Sequence, residues 1–175
     1  MTLDQTAAAS SPRNALTIDV EDWFQVSAFE RHLPRSRWAQ CESRVERNTA
    51  RLLDLFAELG LHATFFTLGW VAQRHPLLVR QIADAGHEVA SHGFDHRRVG
   101  SLDRAAFHAD ARRSRLLLED LAGVPVRGYR APSFSLSPHD AAAYELLAEA
   151  GYRYSASIAP IRHDHYGAPD APRHP

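Results

Sequence analysis

Five short apolar runs rich in β-favouring residues alternate with stretches whose apolar positions recur at helical spacing. The runs are Ala15–Val20, Ala63–Leu68, His87–Ser91, Val126–Arg130 and Tyr152–Ile158. Between them the sequence predicts helices over about 42–59, 76–85, 103–121 and 137–150, three of them followed by a glycine stop at Gly60, Gly86 or Gly151. Ser137-Pro138-His139-Asp140 reads as an N-cap, a proline at the first helical position and a capping-box acid. Parallel strands cannot be joined by a tight turn and need a crossover, so strict alternation predicts an α/β fold with a parallel sheet. In such sheets functional side chains gather where the strands end. Asp19, Glu21 and Asp22 follow the first run, His92 and His96 the third, and Arg130 the fourth, so three distant segments are expected on one rim.

Residues 1–13 are expected to be a disordered leader, 23–43 a loop with short helical turns, and the proline-rich last 16 residues a loop. The remaining 14–175 suit one domain, and 45% hydrophobic residues are enough for a core. A formal net charge of -1 argues against nucleic acid and against an anionic membrane surface as partner. The single cysteine, Cys41, excludes an intrachain disulfide and a cysteine-rich zinc site. The start lacks a basic segment followed by an apolar run, and no stretch approaches the roughly 20 apolar residues of a membrane span, so a cytoplasmic protein is expected. Eleven histidines raise the prospect of a metal site.

The run Ser91-His92-Gly93-Phe94-Asp95-His96 sets two imidazoles four residues apart. On a helical turn both rings would lie on one face and could reach one ion. A zincin motif requires glutamate after the first histidine, and Gly93 stands there instead. A carboxylate from the first strand would complete three protein ligands, the usual set of a catalytic zinc. Along a strand alternate residues share a face, which puts Asp19 and Glu21 together, so one carboxylate could bind metal while the other takes a proton.

Thr17-Ile18-Asp19-Val20-Glu21-Asp22, Gly86-His87-Glu88-Val89-Ala90-Ser91-His92-Gly93 through His96, and Arg130-Ala131-Pro132-Ser133-Phe134 resemble, in order, the first three motifs of the polysaccharide deacetylase family, carbohydrate esterase family four, with its NodB-type chitooligosaccharide deacetylases. Thr17–Phe24 and Ile161–Asp164 look most like the branch beside exopolysaccharide clusters of exosortase systems. The resemblance implies a distorted (β/α) barrel and one divalent ion, zinc first, with cobalt or nickel as alternatives. It implies an N-acetylated glycan as substrate, with Asp19 as catalytic base and Arg130 orienting it. His92 and His96 would bind the metal with either Glu21 or Asp22, a choice the sequence leaves open. Pro132 and Phe134 would shape the groove, and a backbone N–H near Tyr129 would face the oxyanion.

Two departures qualify that picture. Tyr154-Ser155-Ala156-Ser157 stands where relatives often carry an acid after the tyrosine, and the family's later Leu-His motif has no counterpart. About five βα units are expected where the family's barrel has about seven strands, so the domain is expected to be incomplete at its C-terminal end, with an open sheet edge liable to aggregate. His163, His165 and His174 lie in the final loop and are not assigned as proton donor. The rival functions are hydrolysis of a small formamide or cyclic imide on the same fold, and an inactive fragment that serves only as a binding module. The sequence is silent on oligomeric state.

Overall fold

The computed structural model describes residues 14–164 and 166–173; the leader, His165 and His174 lie outside them. Five strands form one parallel sheet in chain order: β1 (Thr17–Val20), β2 (Thr64–Thr67), β3 (Glu88–Ser91), β4 (Gly128–Tyr129) and β5 (Tyr154–Ser155). Each is shorter than its apolar run, because the outer residues of the runs turn into loops. The register aligns Val20, Thr67, Ser91, Tyr129 and Ser155 in one row. Sheets ordered as the chain runs, with the usual right-handed crossovers, keep their helices on one face, as in a (β/α) barrel.

The helices are α1 (Val45–Leu59), α2 (Gly69–Arg74), α3 (Pro76–Asp84), α4 (Arg104–Ala122) and α5 (Ala141–Glu149). Helix α3 contacts α1 and α4, and α4 contacts α5, so the layer is continuous. Gly60 closes α1 in the left-handed conformation that glycine adopts without strain. Helix α4 opens on Asp103, whose side chain accepts from the Ala106 amide. The cap of α5 is Asp140, which accepts from the Ala143 amide, not Ser137; the helix starts three residues later than expected. Two short 3-10 turns, Ser27–Phe29 and Arg35–Gln40, interrupt the first loop, as the sequence suggests.

The core lies between sheet and helices: Phe65, Val89 and Tyr129 from the strands meet Val79, Ile82, Phe107 and Leu118 from the helices. Among the described residues, no helix is long and apolar enough to cross a membrane.

Candidate metal and active site

At the ends of the strands the ladder runs on by one residue. The His92 amide donates to the Thr67 carbonyl at 3.0 Å and the Arg130 amide to the Ser91 carbonyl at 2.8 Å. This sets His92 and Arg130 on the rim beside the acids that follow β1. Among the described residues, Glu21, His92 and His96 each offer one ligand atom within 4.8 Å of the others.

The histidines arrive by a route other than a helical turn. Residues 92–98 form a loop, with Gly93 at φ 74° and His96 at φ 52°. These left-handed positions fold the segment back until the two ring centroids are 5.3 Å apart. Two outside contacts hold the loop. Arg35 donates from Nε to the Asp95 carbonyl (2.8 Å) and from Nη2 to the His96 carbonyl (3.2 Å). The first amides of α2, Gly69 and Trp70, donate to the Gly93 and Phe94 carbonyls, both at 2.9 Å. Neither Arg35 nor α2 is marked as functional by the sequence.

The protonation pattern suits metal ligands. The Arg130 carbonyl, 2.9 Å from His92 Nδ1, can only accept, so the proton sits on Nδ1 and Nε2 presents a lone pair toward the cluster. Burial lowers the pKa of His92, and burial with the nearby His92, Arg35 and Arg98 lowers that of His96 to about 3. Both rings are therefore neutral near pH 7, the form that coordinates zinc. Burial, then the negative charge of Asp19, raises Glu21 to about 7. Glu21 Oε2 is buried without a hydrogen-bond partner, although His96 Nε2 lies 3.1 Å away. Two heteroatoms so close without a hydrogen bond fit two ligands converging on one cation, and on this ground the residues fit a divalent ion.

Asp22 goes elsewhere. Its buried carboxylate accepts from Ser43 Oγ (2.6 Å) and from the amides of Arg44 and Val45, closing the start of α1. The structure thus brings Glu21, not Asp22, to the histidines. Asp19 stands beside the cluster, its Oδ2 at 4.0 Å from His92 Nε2 and its Oδ1 at 2.7 Å from Arg130 Nη1. Arg130 is fixed in turn by Thr17 Oγ1 (3.0 Å) and the Ala156 carbonyl (3.1 Å), and lies over Phe66.

Asp19, Glu21, His92 and His96 line a cavity of about 290 Å³ together with Ser27, Phe134 and Tyr166. Phe134 lines this cavity and stacks on Tyr166, with ring centroids 5.0 Å apart. Tyr166 carried no sequence signal, and His163 also stacks on it, with ring centroids 4.1 Å apart. Pro132 is buried behind the wall, against Gly93, and lines no part of the cavity. Tyr129 is a correction: its ring is in the core between Phe107 and Tyr152, and the amides after it are committed, Arg130 to Ser91 and Ala131 to Ser157 Oγ (2.8 Å). Ser157, in the segment lacking the expected acid, so supports the Arg130 loop. A larger cavity of about 590 Å³ adjoins the first across Phe134 and Tyr166 but has none of the cluster residues in its wall.

The polysaccharide deacetylase family model matches residues 37–155, a stretch that contains His92, His96 and Arg130 and leaves Asp19 and Glu21 before it. The chain belongs to the polysaccharide deacetylase family. A peptidoglycan deacetylase of Helicobacter pylori is 33% identical over 108 residues, 62% of this chain and 36% of that protein. A chitooligosaccharide deacetylase of Rhizobium leguminosarum bv. trifolii is 40% identical over 62 residues, 35% of this chain and 29% of that protein. A Mycobacterium smegmatis crystal structure, named for a polysaccharide deacetylase, superposes with a TM-score of 0.67 at 30% identity, covering 83% of this chain and 50% of that one. The chain spans about a third of the length of these curated relatives, and its open five-stranded sheet carries the family fold.

Proposed function

We propose that the chain hydrolyses the N-acetyl group of a glycan, with one divalent ion, zinc first, held by Glu21, His92 and His96. The observation that carries this reading is the three-ligand cluster beside a separately anchored carboxylate in one cavity. When bound, the ion supplies Lewis acidity, which makes water nucleophilic near neutral pH and polarises an acyl carbonyl. Asp19 takes the proton from the attacking water and returns it to the leaving amine as the carbon–nitrogen bond breaks. Arg130 occupies Oδ1, so Oδ2 is the oxygen that receives it. The bonds from Arg130 to Thr17 and Ala156 prevent the carboxylate from following substrate out of line. The adjoining 590 Å³ cavity offers room for further sugar rings, and the peptidoglycan and chitooligosaccharide relatives support a glycan. An exopolysaccharide setting is supported by the resemblance of Thr17–Phe24 and Ile161–Asp164.

Acetate release from N-acetylchitooligosaccharides tests the proposal. With zinc or cobalt supplied, the chain is expected to release acetate, and Asp19→Asn to lower the rate by about 10²–10⁴-fold with metal content unchanged. No release from any N-acetylated glycan by the metal-loaded chain, or full activity in Asp19→Asn, would overturn it.

A further inference from the structure

A third support of the histidine loop comes from α4 and bears on a single peptide group, the one between Gly93 and Phe94. Its carbonyl accepts from Ser114 Oγ at 3.0 Å as well as from the Gly69 amide, and its N–H donates to Asp110 Oδ2 at 3.0 Å. Asp110 and Ser114 are four residues apart, so one face of the helix holds both ends of that peptide. The Ser114 hydroxyl proton is spent on the Gly93 carbonyl, so in the 2.9 Å contact between the two hydroxyls Ser91 donates to Ser114. Ser91 Oγ accepts in turn from the Gly93 amide at 3.2 Å, which closes a ring of three hydrogen bonds at Gly93. Ser91 and Ser114 are fully buried, and Asp110 is half-buried. The Asp110 carboxylate serves a backbone amide that lies between two metal-ligand candidates in the chain.

We infer that Asp110 and Ser114 are positioning residues for the metal cluster, acting through the Gly93–Phe94 peptide on the convergence of His92 and His96. The inference rests on the metal reading above. Glycine has no Cβ to confine its dihedrals, so the link that follows His92 does not hold its own shape. Gly93 stays at φ 74°, where the chain folds back toward His96, because the groups on either side of it are bound. The clamp also leaves little room for another residue there: a Cβ on Gly93 would stand 3.2 Å from Asp110 Oδ2 and 3.5 Å from the Pro132 ring. Neither α4 side chain belongs to the ligand set of Glu21, His92 and His96. Their effect is to hold the imidazoles in the binding arrangement before an ion arrives, which removes an ordering cost from binding. Loss of groups that orient metal ligands lowers metal affinity about 10–100-fold.

The test titrates the metal-stripped full chain with cobalt(II) and follows its visible absorption, with thermal unfolding of the metal-free proteins beside it. Asp110→Leu, similar in size but without an acceptor, should bind cobalt about tenfold or more weakly than wild type. Asp110→Asn keeps a side-chain oxygen for the Phe94 amide and should restore most of the affinity. Ser114→Ala removes the donor at the other end with a smaller change, and should also weaken binding. Hydrogen exchange of the Phe94 amide in the metal-free chain should speed up in Asp110→Leu and stay slow in Asp110→Asn. Leu118→Ala, one turn further along α4 in the core, separates positioning from mere stability. It should lower the unfolding temperature and leave cobalt affinity unchanged. A wild-type chain that binds no cobalt would overturn the metal reading and this inference together. Cobalt bound by wild type with equal affinity in Asp110→Leu and Ser114→Ala would overturn this inference alone. So would a loss of affinity in Leu118→Ala as large as that in Asp110→Leu.

Discussion

At the end of β1 adjacent carboxylates take different jobs because successive side chains point opposite ways as the strand runs out. Glu21 turns to the histidines, whereas Asp22 turns under the chain to receive the first amides of α1. Asp22→Ala should therefore cost about 1–2 kcal/mol of stability, as loss of a helix cap does, and leave metal binding intact. Thermal unfolding beside metal analysis checks this, and loss of metal in Asp22→Ala would return it to the ligand set. The sequence left that choice open because the partners of Asp22, Ser43 to Val45, lie some twenty residues further on. A second residue-scale expectation concerns His87. Burial, then His62, lowers its pKa below 6.5, and its Nδ1 accepts from the Ala63 amide, so the folded state holds it neutral. The unfolded chain then binds the extra proton, so this contribution to stability is complete above about pH 6.5 and is lost as pH falls toward the folded value. Denaturant midpoints of wild type and His87→Gln should diverge from pH 7 to pH 5, with wild type losing more. Parallel curves would contradict the assignment.

Among the elements, the loop from His92 to His96 and the short helix α2 form one unit. The sequence signalled the histidine pair but suggested a helical turn; two left-handed residues achieve the convergence instead. Helix α2 escaped notice because six residues give no readable period, and because His75-Pro76 makes the next helix seem to start afresh. Gly69, its first residue, has no room for a side chain: a Cβ there would overlap the Phe94 ring. Gly69→Ala should displace Phe94, cost about 1–3 kcal/mol and weaken metal affinity, although residue 69 touches no ligand. Zinc titration followed by calorimetry checks this, and unchanged affinity would show that the loop keeps its shape without α2. The five strands were legible because apolar runs and glycine stops agree with tertiary burial. The start of α5 was misplaced because Ser137-Pro138 and Asp140 both carry cap chemistry, and only the Ala143 contact decides between them.

For the molecule as a whole, the parallel register carries acids from β1, histidines after β3 and an arginine after β4 to one rim, and this convergence was legible from the order of the polar residues alone. Side-chain facing within the rim was not: Tyr129 and Pro132 fall on the core side, while Tyr166 enters the cavity from a loop with no periodic signal. The central claim is a single ion held by Glu21, His92 and His96, and metal stoichiometry by elemental analysis measures it most directly. Purified chain equilibrated with zinc should hold one ion. His92→Ala, His96→Ala and Glu21→Gln should each hold far less, and Asp22→Ala and Asp19→Asn should hold as much as wild type. Zinc retained in the histidine variants, or lost from Asp22→Ala but kept by Glu21→Gln, would contradict the account.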